Sequence, residues 1–378
     1  MTSSFLFAAI LAAADPQAGD VADVVVVADL AQHPGFDRLW EPYLALWSPR
    51  QYVIAYGAHL AGKGDMGSIL ATVSRDAGKT WTRVGAIFDH LQRNGTVQYA
   101  YANPVLYRPP GQDVLWCFAM RCPMNRPHSE DSQICAAFSA DGGYSWSPVE
   151  LAMHYTGPAI IVGGVLRVDD PSGPRYLLPV HRNTRRTDPL GTRDQLVLES
   201  TSLLEWRLPK VQGKPLAGVV PQPAAGPVFL HEGQLAPGEK PGEVLMVMRT
   251  ASYDRERALD PPRAYSTKSA DYGRTWTAAV AEPDLHNSVS KAFFGRSASG
   301  ACLYVYSDGP QGRRTSLRYK VKPAGGAWSA ERTFFDAGIK NSYPTLIETA
   351  PDRFACTWDS GTKDRPRTSI RFGTLALR

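Results

Sequence analysis

The chain has 378 residues, 43% of them hydrophobic and 20% charged, with a formal net charge of +5. That balance excludes a disordered chain, and the 41 Lys and Arg are scattered rather than gathered in a tail, which argues against a nucleic-acid surface and for an acidic ligand held in a pocket. Nine Trp, sixteen Tyr, 33 Gly and 30 Pro, with no long helical periodicity beyond the N-terminus, favour many short strands joined by tight turns.

Residues 4–14 form a short apolar run ending in alanines. It is too short to span a bilayer and has the form of the end of an export signal, although no Lys or Arg precedes it. The expectation is a signal peptide or N-terminal helix over 1–18, a secreted or periplasmic protein, and a single domain over 19–378. The next element, Val24–Val27, reads as a strand.

Next, the Gly-rich loop 57–67 carries His59 and Asp65 at a plausible pocket rim. After it comes the first copy of an eight-residue pattern, Ser74-Arg-Asp76-Ala-Gly78-Lys-Thr80-Trp81, repeated at Ser139–Trp146 and Ser269–Trp276. In each copy Asp can accept backbone N–H groups, Gly supplies positive φ for a hairpin turn, and Trp is long enough to reach a neighbouring unit. Asp76 and Asp141 are 65 residues apart and Asp141 and Asp271 are 130 apart, so a unit lies between the last two. Its eroded copy is Ser200–Trp206, and another ends at Trp328. Trp81, Trp146, Trp206, Trp276 and Trp328 thus mark five units of propeller-blade size. A sixth unit over 342–378 borrows Val24–Val27 to close the ring and remove its exposed edges. The expected fold is an all-β, six-bladed β-propeller.

Several polar residues fall at strand ends or on loops facing the expected axis. Tyr99 and Tyr101 can stack on the flat face of a ligand or fill the channel. His154, His286 and Lys291 are placed by the same positional argument. His181 and Arg182 stand together at a strand end, with further arginines at 185 and 186, combining a proton carrier with a carboxylate-binding fork. Five cysteines without metal-ligand spacing read as structural free thiols. No phosphate loop, dinucleotide fingerprint or zinc motif is present, so no cofactor is expected; a structural Ca²⁺ between loops leaves no trace in sequence.

The three Asp-boxes and their spacing resemble those of the sialidase superfamily over nearly the whole chain. That resemblance implies a sialidase-like propeller with an arginine clamp for a carboxylate, a tyrosine nucleophile assisted by a glutamate, and an aspartate acid/base. A neutral tyrosine suits such a substrate, because a carboxylate nucleophile would be repelled by the substrate's own charge. Arg313 and Arg314 followed by Tyr343 resemble the last clamp arginine and the tyrosine. Glu243 and Arg249 resemble the glutamate and middle-arginine segment, with Arg263 competing for the second role. Two departures are visible. Leu39-Trp40-Glu41-Pro42 stands where the family carries its first arginine, and Ser68 stands where the aspartate is expected, with Asp65 displaced nearby.

The resemblance therefore implies a carbohydrate-active enzyme, in first place a glycoside hydrolase cleaving at a sialic- or uronic-acid-containing glycan. Tyr343, His181, Glu243 and Asp65 are its catalytic candidates. Arg182, Arg249, Arg263, Arg313, Arg314, His59, Tyr99, Tyr101, His154, His286 and Lys291 are its binding candidates. Elimination next to a uronic acid through His and Tyr, as in divergent lyase relatives, stays open, and so does a non-catalytic glycan-binding propeller. The expected partner is an acidic oligo- or polysaccharide, with no nucleic acid and no membrane span.

Overall fold

A computed structural model describes residues 19–125, 132–182, 193–214, 216–254, 256–309, 314–337, 340–362 and 365–377. The segment 1–18, with its expected signal, lies outside the described residues, as do His128, Arg185, Arg186 and Arg313. Apart from one short 3-10 helix at Leu30–Gln32, every named element is a strand, and the sheets take a β-propeller arrangement.

Short apolar runs rich in β-branched and aromatic residues, bounded by Gly, Pro and Asp, produce sheets built from consecutive antiparallel strands. Strands Val228–Pro237, Val244–Ser252, Arg263–Ser269 and Val280–His286 form one such meander, and Phe293–Arg296, Cys302–Ser307, Leu317–Lys322 and Arg332–Phe335 form the next. The ring closes with both ends of the chain in one sheet. Ala22–Asp29 pairs antiparallel with Ser369–Ala376, with Val25 opposite Phe372, so the strand around Val24–Val27 covers the edge the last strands would expose.

The six blades expected from the sequence are not what the sheets form. Among the described residues there are four four-stranded sheets, a short two-stranded ladder, and one nine-stranded sheet. The nine-stranded sheet arises because Gly67, at the start of strand Gly67–Ser74, pairs with Tyr101 of strand Val97–Tyr107 and joins two meanders that would otherwise be separate.

The repeated octapeptides do what their residue types require. Ser74 Oγ donates to Asp76 Oδ1 at 2.8 Å, and Asp76 accepts from Thr80 N at 2.9 Å and Thr80 Oγ1 at 2.6 Å. The same bonds recur at Asp141 and Asp271. Gly78 stands at φ +90°, where a Cβ would also strike the Phe372 ring. Trp81 then packs on Phe372, with ring centroids 5.2 Å apart, pinning its hairpin to the closing sheet. The eroded copy keeps the same device. Ser200 Oγ accepts from Leu203 N, Trp206 Nε1 donates to Leu203 O, and Trp206 is fully buried edge-on to Phe118. Truncating a Trp so buried costs about 3–5 kcal/mol. All five cysteines are free thiols, four of them buried, and burial pushes the Cys135 thiol up to about 12.

Candidate active site

Four inner strands share one irregularity. The pairing register slips between Trp40 and Tyr43, between Ala102 and Val105, between His231 and Gln234, and between Ser342 and Thr345. Each slip is a bulge containing one residue of positive φ: Glu41 at 54°, Asn103 at 57°, Glu232 at 51° and Tyr343 at 52°. Pro or Gly follows every one of them, as Pro42, Pro104, Gly233 and Pro344. Proline has no N–H for a ladder and is tolerated inside a sheet at bulges, which re-aim the neighbouring side chain. Positive φ in a non-glycine residue costs on the order of 1–3 kcal/mol and persists only where surrounding structure enforces it. All four residues line the same cavity of ≈ 270 Å³.

On its wall the Tyr343 hydroxyl donates to Glu232 Oε1 at 3.0 Å, while Arg249 Nη1 donates to the Tyr343 oxygen at 3.2 Å and to Glu232 Oε1 at 2.7 Å. Tyr343 is 2% exposed and Glu232 6%. Burial, and then the Glu232 charge, push the Tyr343 hydroxyl up, so it stays protonated at rest. Burial alone would raise Glu232, but Arg249 outweighs it and holds the carboxyl below its usual value. The pair is thus a neutral phenol hydrogen-bonded to a carboxylate, with the guanidinium orienting both.

Arg314 lies over the Tyr343 ring, 4.9 Å from its centroid, and over Trp40 at 5.6 Å. Its Nη2 donates to Val289 O at 3.2 Å, whereas Nη1 is buried with no hydrogen-bond partner among the described residues. Trp40 meets Tyr343 edge-to-face at 5.1 Å and carries Arg367 on its ring at 3.1 Å. The cavity is thus lined by the guanidinium groups of Arg249 and Arg314 and by the rings of Trp40 and Tyr343.

Of the catalytic candidates, Tyr343, His181 and Asp65 reach this cavity, as do the binding candidates Arg249 and Arg314. His181 Nδ1 accepts from the Glu232 backbone N–H at 3.4 Å. Burial lowers its pKa to about 4, so the imidazole is neutral and positions the Glu232 bulge rather than carrying charge. Asp65 sits at the rim, half exposed, 3.4 Å from Arg38 and 4.0 Å from Arg367.

The other candidates do not line it. Glu243 lies in the turn before strand Val244–Ser252, where its carboxylate accepts from Glu239 N, because hairpin geometry turns it to the outside. Arg182 is buried against Asp194 at 3.1 Å, an internal ion pair. Arg263 begins the third strand of its sheet, two strands out from the inner strand that carries Glu232, where its carbonyl accepts from Thr250 Oγ1. His154 pairs with Glu205 on the surface. Tyr99 lies under Arg121, and Tyr101 stacks on Phe88. His286 packs on Tyr306. His59 is fully buried behind Trp40, with neither ring nitrogen partnered among the described residues. Lys291 is buried as well, donating to Thr345 Oγ1 at 2.7 Å, and burial lowers its pKa to about 8. Its ammonium is inside the axis, two residues beyond Tyr343 along that strand, rather than on the cavity wall.

Sequence reasoning missed Glu232, Glu41 and Asn103. The signal for all three was a polar residue before Pro or Gly inside an apolar strand. Among the described residues no cluster of three or more His, Cys, Asp or Glu is arranged to hold a metal ion, and no helix is long and apolar enough to cross a membrane.

An all-β propeller with Asp-box hairpins is the architecture of the sialidase fold. The chain belongs to the BNR repeat-like domain family, which matches it over residues 52–356. Solved structures of similar fold include a protein of unknown function from Dyadobacter fermentans, with TM-score 0.70 and 19% identity, covering 96% of this chain and 100% of the other. The NanB sialidase of Streptococcus pneumoniae has TM-score 0.67 and 10% identity, covering 93% of this chain and 70% of its own. An α-L-arabinofuranosidase of Fusarium graminearum, solved with arabinobiose, has TM-score 0.67 and 13% identity, covering 95% and 99%. No curated protein matches the chain.

Proposed function

We propose that the protein is a glycoside hydrolase that works through a tyrosyl-enzyme intermediate on a glycan bearing a carboxylate. The observation that carries this reading is the Tyr343–Glu232–Arg249 triangle on the wall of the cavity. In the first step the Tyr343 oxygen attacks the anomeric carbon as its proton passes to Glu232, and the glycosidic C–O bond breaks. Water then attacks the same carbon and Tyr343 leaves, recovering its proton from Glu232. Arg249 keeps the tyrosine oxygen aimed and stabilises the charge that develops on it. Arg314, with its unpartnered Nη1, supplies the fork for a substrate carboxylate. The arabinofuranosidase and sialidase among similar structures support glycoside cleavage as the reaction class.

The test is capture of the intermediate. A panel of fluorinated glycosyl fluorides of sialic and uronic acids is incubated with the protein and the labelled peptide is sequenced by mass spectrometry. A label on Tyr343 supports the reading, and a label on any other residue, or none across the panel, sinks it.

One observation favours a second reading, elimination next to a uronate. His231 Nε2 is buried without a partner among the described residues and its ring lines the same cavity as Tyr343, so a neutral base is at hand. A product with a conjugated double bond and no added water would establish that reaction instead.

A further inference from the structure

We infer that Glu41 is the proton donor to the departing glycosidic oxygen, an inference that rests on the Tyr343 reading above. Glu41 occupies on strand Arg38–Leu46 the place that Tyr343 and Glu232 occupy on theirs, the positive-φ residue of the bulge, and it lines the same cavity. Its neighbour Trp40 touches the Tyr343 ring edge-to-face, which sets the two bulges side by side at the cavity floor. Bulges of this kind cost backbone strain, and at Tyr343 and Glu232 the strain places a reacting group.

Next, its bonding suits a donor. Glu41 is 6% exposed, one oxygen accepts the Asn103 backbone N–H at 3.1 Å, and it makes no ion pair among the described residues. The charges facing it are mostly of its own sign: Asp65 from the rim, Glu232 from strand Val228–Pro237 and Asp359 from strand Arg353–Ser360, against Arg367 and the more distant Lys291. Burial first, then Asp65 and Glu232, hold its carboxyl well above the usual range, which favours the protonated form that a donor needs. Asp65 is the competing residue. Burial raises it too, but its side chain is 52% exposed and two arginines favour its charged form. An acid kept out of water and unpaired donates more readily than one solvated and ion-paired.

The step balances. As Tyr343 bonds to the anomeric carbon and Glu232 takes the phenolic proton, the carboxyl proton of Glu41 moves to the leaving oxygen and an alcohol departs. In the second step the Glu41 carboxylate takes a proton from the attacking water, the hydroxyl bonds to the same carbon, and Glu41 is again protonated.

Wild type, Glu41→Gln and Asp65→Asn are compared on two glycosides of the sugar that labels the enzyme. One has 4-nitrophenol as leaving group, which departs without a proton, and the other an alkyl alcohol, which needs one. Gln keeps an acceptor for the Asn103 N–H, so the variant folds, as its melting temperature will report. The expected result is a loss on the order of 10²–10⁴-fold for Glu41→Gln on the alkyl glycoside, near-normal formation of the intermediate from the nitrophenyl glycoside, and rescue of its breakdown by azide. Equal losses on both glycosides, or the leaving-group dependence appearing in Asp65→Asn instead, overturn the assignment. Infrared difference spectra give a readout free of substrate. A protonated-carboxyl band present in wild type at pH 7 and lost in Glu41→Gln supports it, and its absence from wild type overturns it. If wild type cleaves neither glycoside, the Tyr343 reading has failed first and Glu41 falls with it.

Discussion

The Tyr343 hydroxyl and the Glu232 carboxylate meet at 3.0 Å although 111 residues separate them in the chain. Neither strand could bring them together if it ran straight, because a regular strand sends alternate side chains to opposite faces of its sheet. Each residue instead sits in a bulge at positive φ, and the two bulges aim both side chains into one cavity. Arg249, on the strand paired with Glu232's, closes the triangle through a single nitrogen. A shared nitrogen couples the three groups, so they should fail as a unit.

That coupling can be read from kinetics. Tyr343→Phe is expected to lower kcat on the order of 10⁴-fold, Glu232→Gln somewhat less, and the double variant no further than Tyr343→Phe alone. Melting temperatures close to that of wild type would show that chemistry, not folding, was lost. Additive losses in the double variant would mean that the two residues act separately.

Arg314 offers a sharper question about specificity. Its unpartnered Nη1 should bond a carboxylate, and a hydrogen bond to a charged group contributes about 1.5–3 kcal/mol. Arg314→Met should therefore raise KM roughly 10–100-fold for a carboxylated substrate and leave its carboxamide counterpart nearly unchanged. Equal effects on the two would assign Arg314 to packing on Trp40 and Tyr343 rather than to the anion.

How far the sequence alone reaches follows from what is local. The Asp-box is a local device: Ser, Asp, Gly and Trp within eight residues satisfy one another, so the all-β propeller class was legible, even at the eroded copy where Trp206 still bonds Leu203 O, but the division into blades was not. Closure through Ala22–Asp29 was legible because an unpaired edge demands a partner. Fusion of two meanders through Gly67 and Tyr101 was not, since one bridge leaves no composition signal. The site divides in the same way. Tyr343, Arg249 and Arg314, which line the cavity, were picked out by pattern, but Glu243 was named and Glu232 passed over, because Glu232 looks like a polar interruption of an apolar strand. Arg182 resembled a clamp residue until Asp194, twelve positions on, proved to hold it.

Stability should carry the signature of the buried imidazoles. His181 has its pKa lowered from 6.5 to about 4 by burial, so below 6.5 the unfolded chain binds a proton that the folded chain refuses. Its contribution is therefore complete above pH 6.5 and is lost as pH falls towards 4, by up to about 1.4 kcal/mol per pH unit. Asp359 works in the opposite sense. Burial raises it from 3.8 to about 6, so as pH falls through that window it takes up a proton in the folded state before the unfolded one. Urea denaturation of wild type and His181→Gln at pH 7, 6 and 5 isolates the first effect. The difference between them should shrink as pH falls; a constant difference would show that folding leaves the His181 pKa unchanged, and a growing one that the folded protein favours its charged form.

The Glu232 bulge also depends on a glycine in the bend between strands Ile160–Ile161 and Leu166–Asp170 of a neighbouring sheet. A Cβ on Gly163 would stand 2.0 Å from the Gly233 carbonyl oxygen and 2.6 Å from Pro179, distances that no side chain tolerates. Gly233 is the residue after Glu232, and its N–H donates to Gln195 Oε1 at 2.9 Å. Gly163→Ala must therefore push the bulge or break that bond, with a cost of about 1–3 kcal/mol for overpacking and a displaced carboxylate. A displacement of 1 Å at a reacting group can lower the rate about 10²-fold. Gly326→Ala is the control, because its added carbon meets Pro323 only at an ordinary 3.4 Å. Denaturation and turnover of the two variants should separate cleanly. If Gly163→Ala matches Gly326→Ala in both, the two sheets are free to move apart and the bulge is not held by their contact.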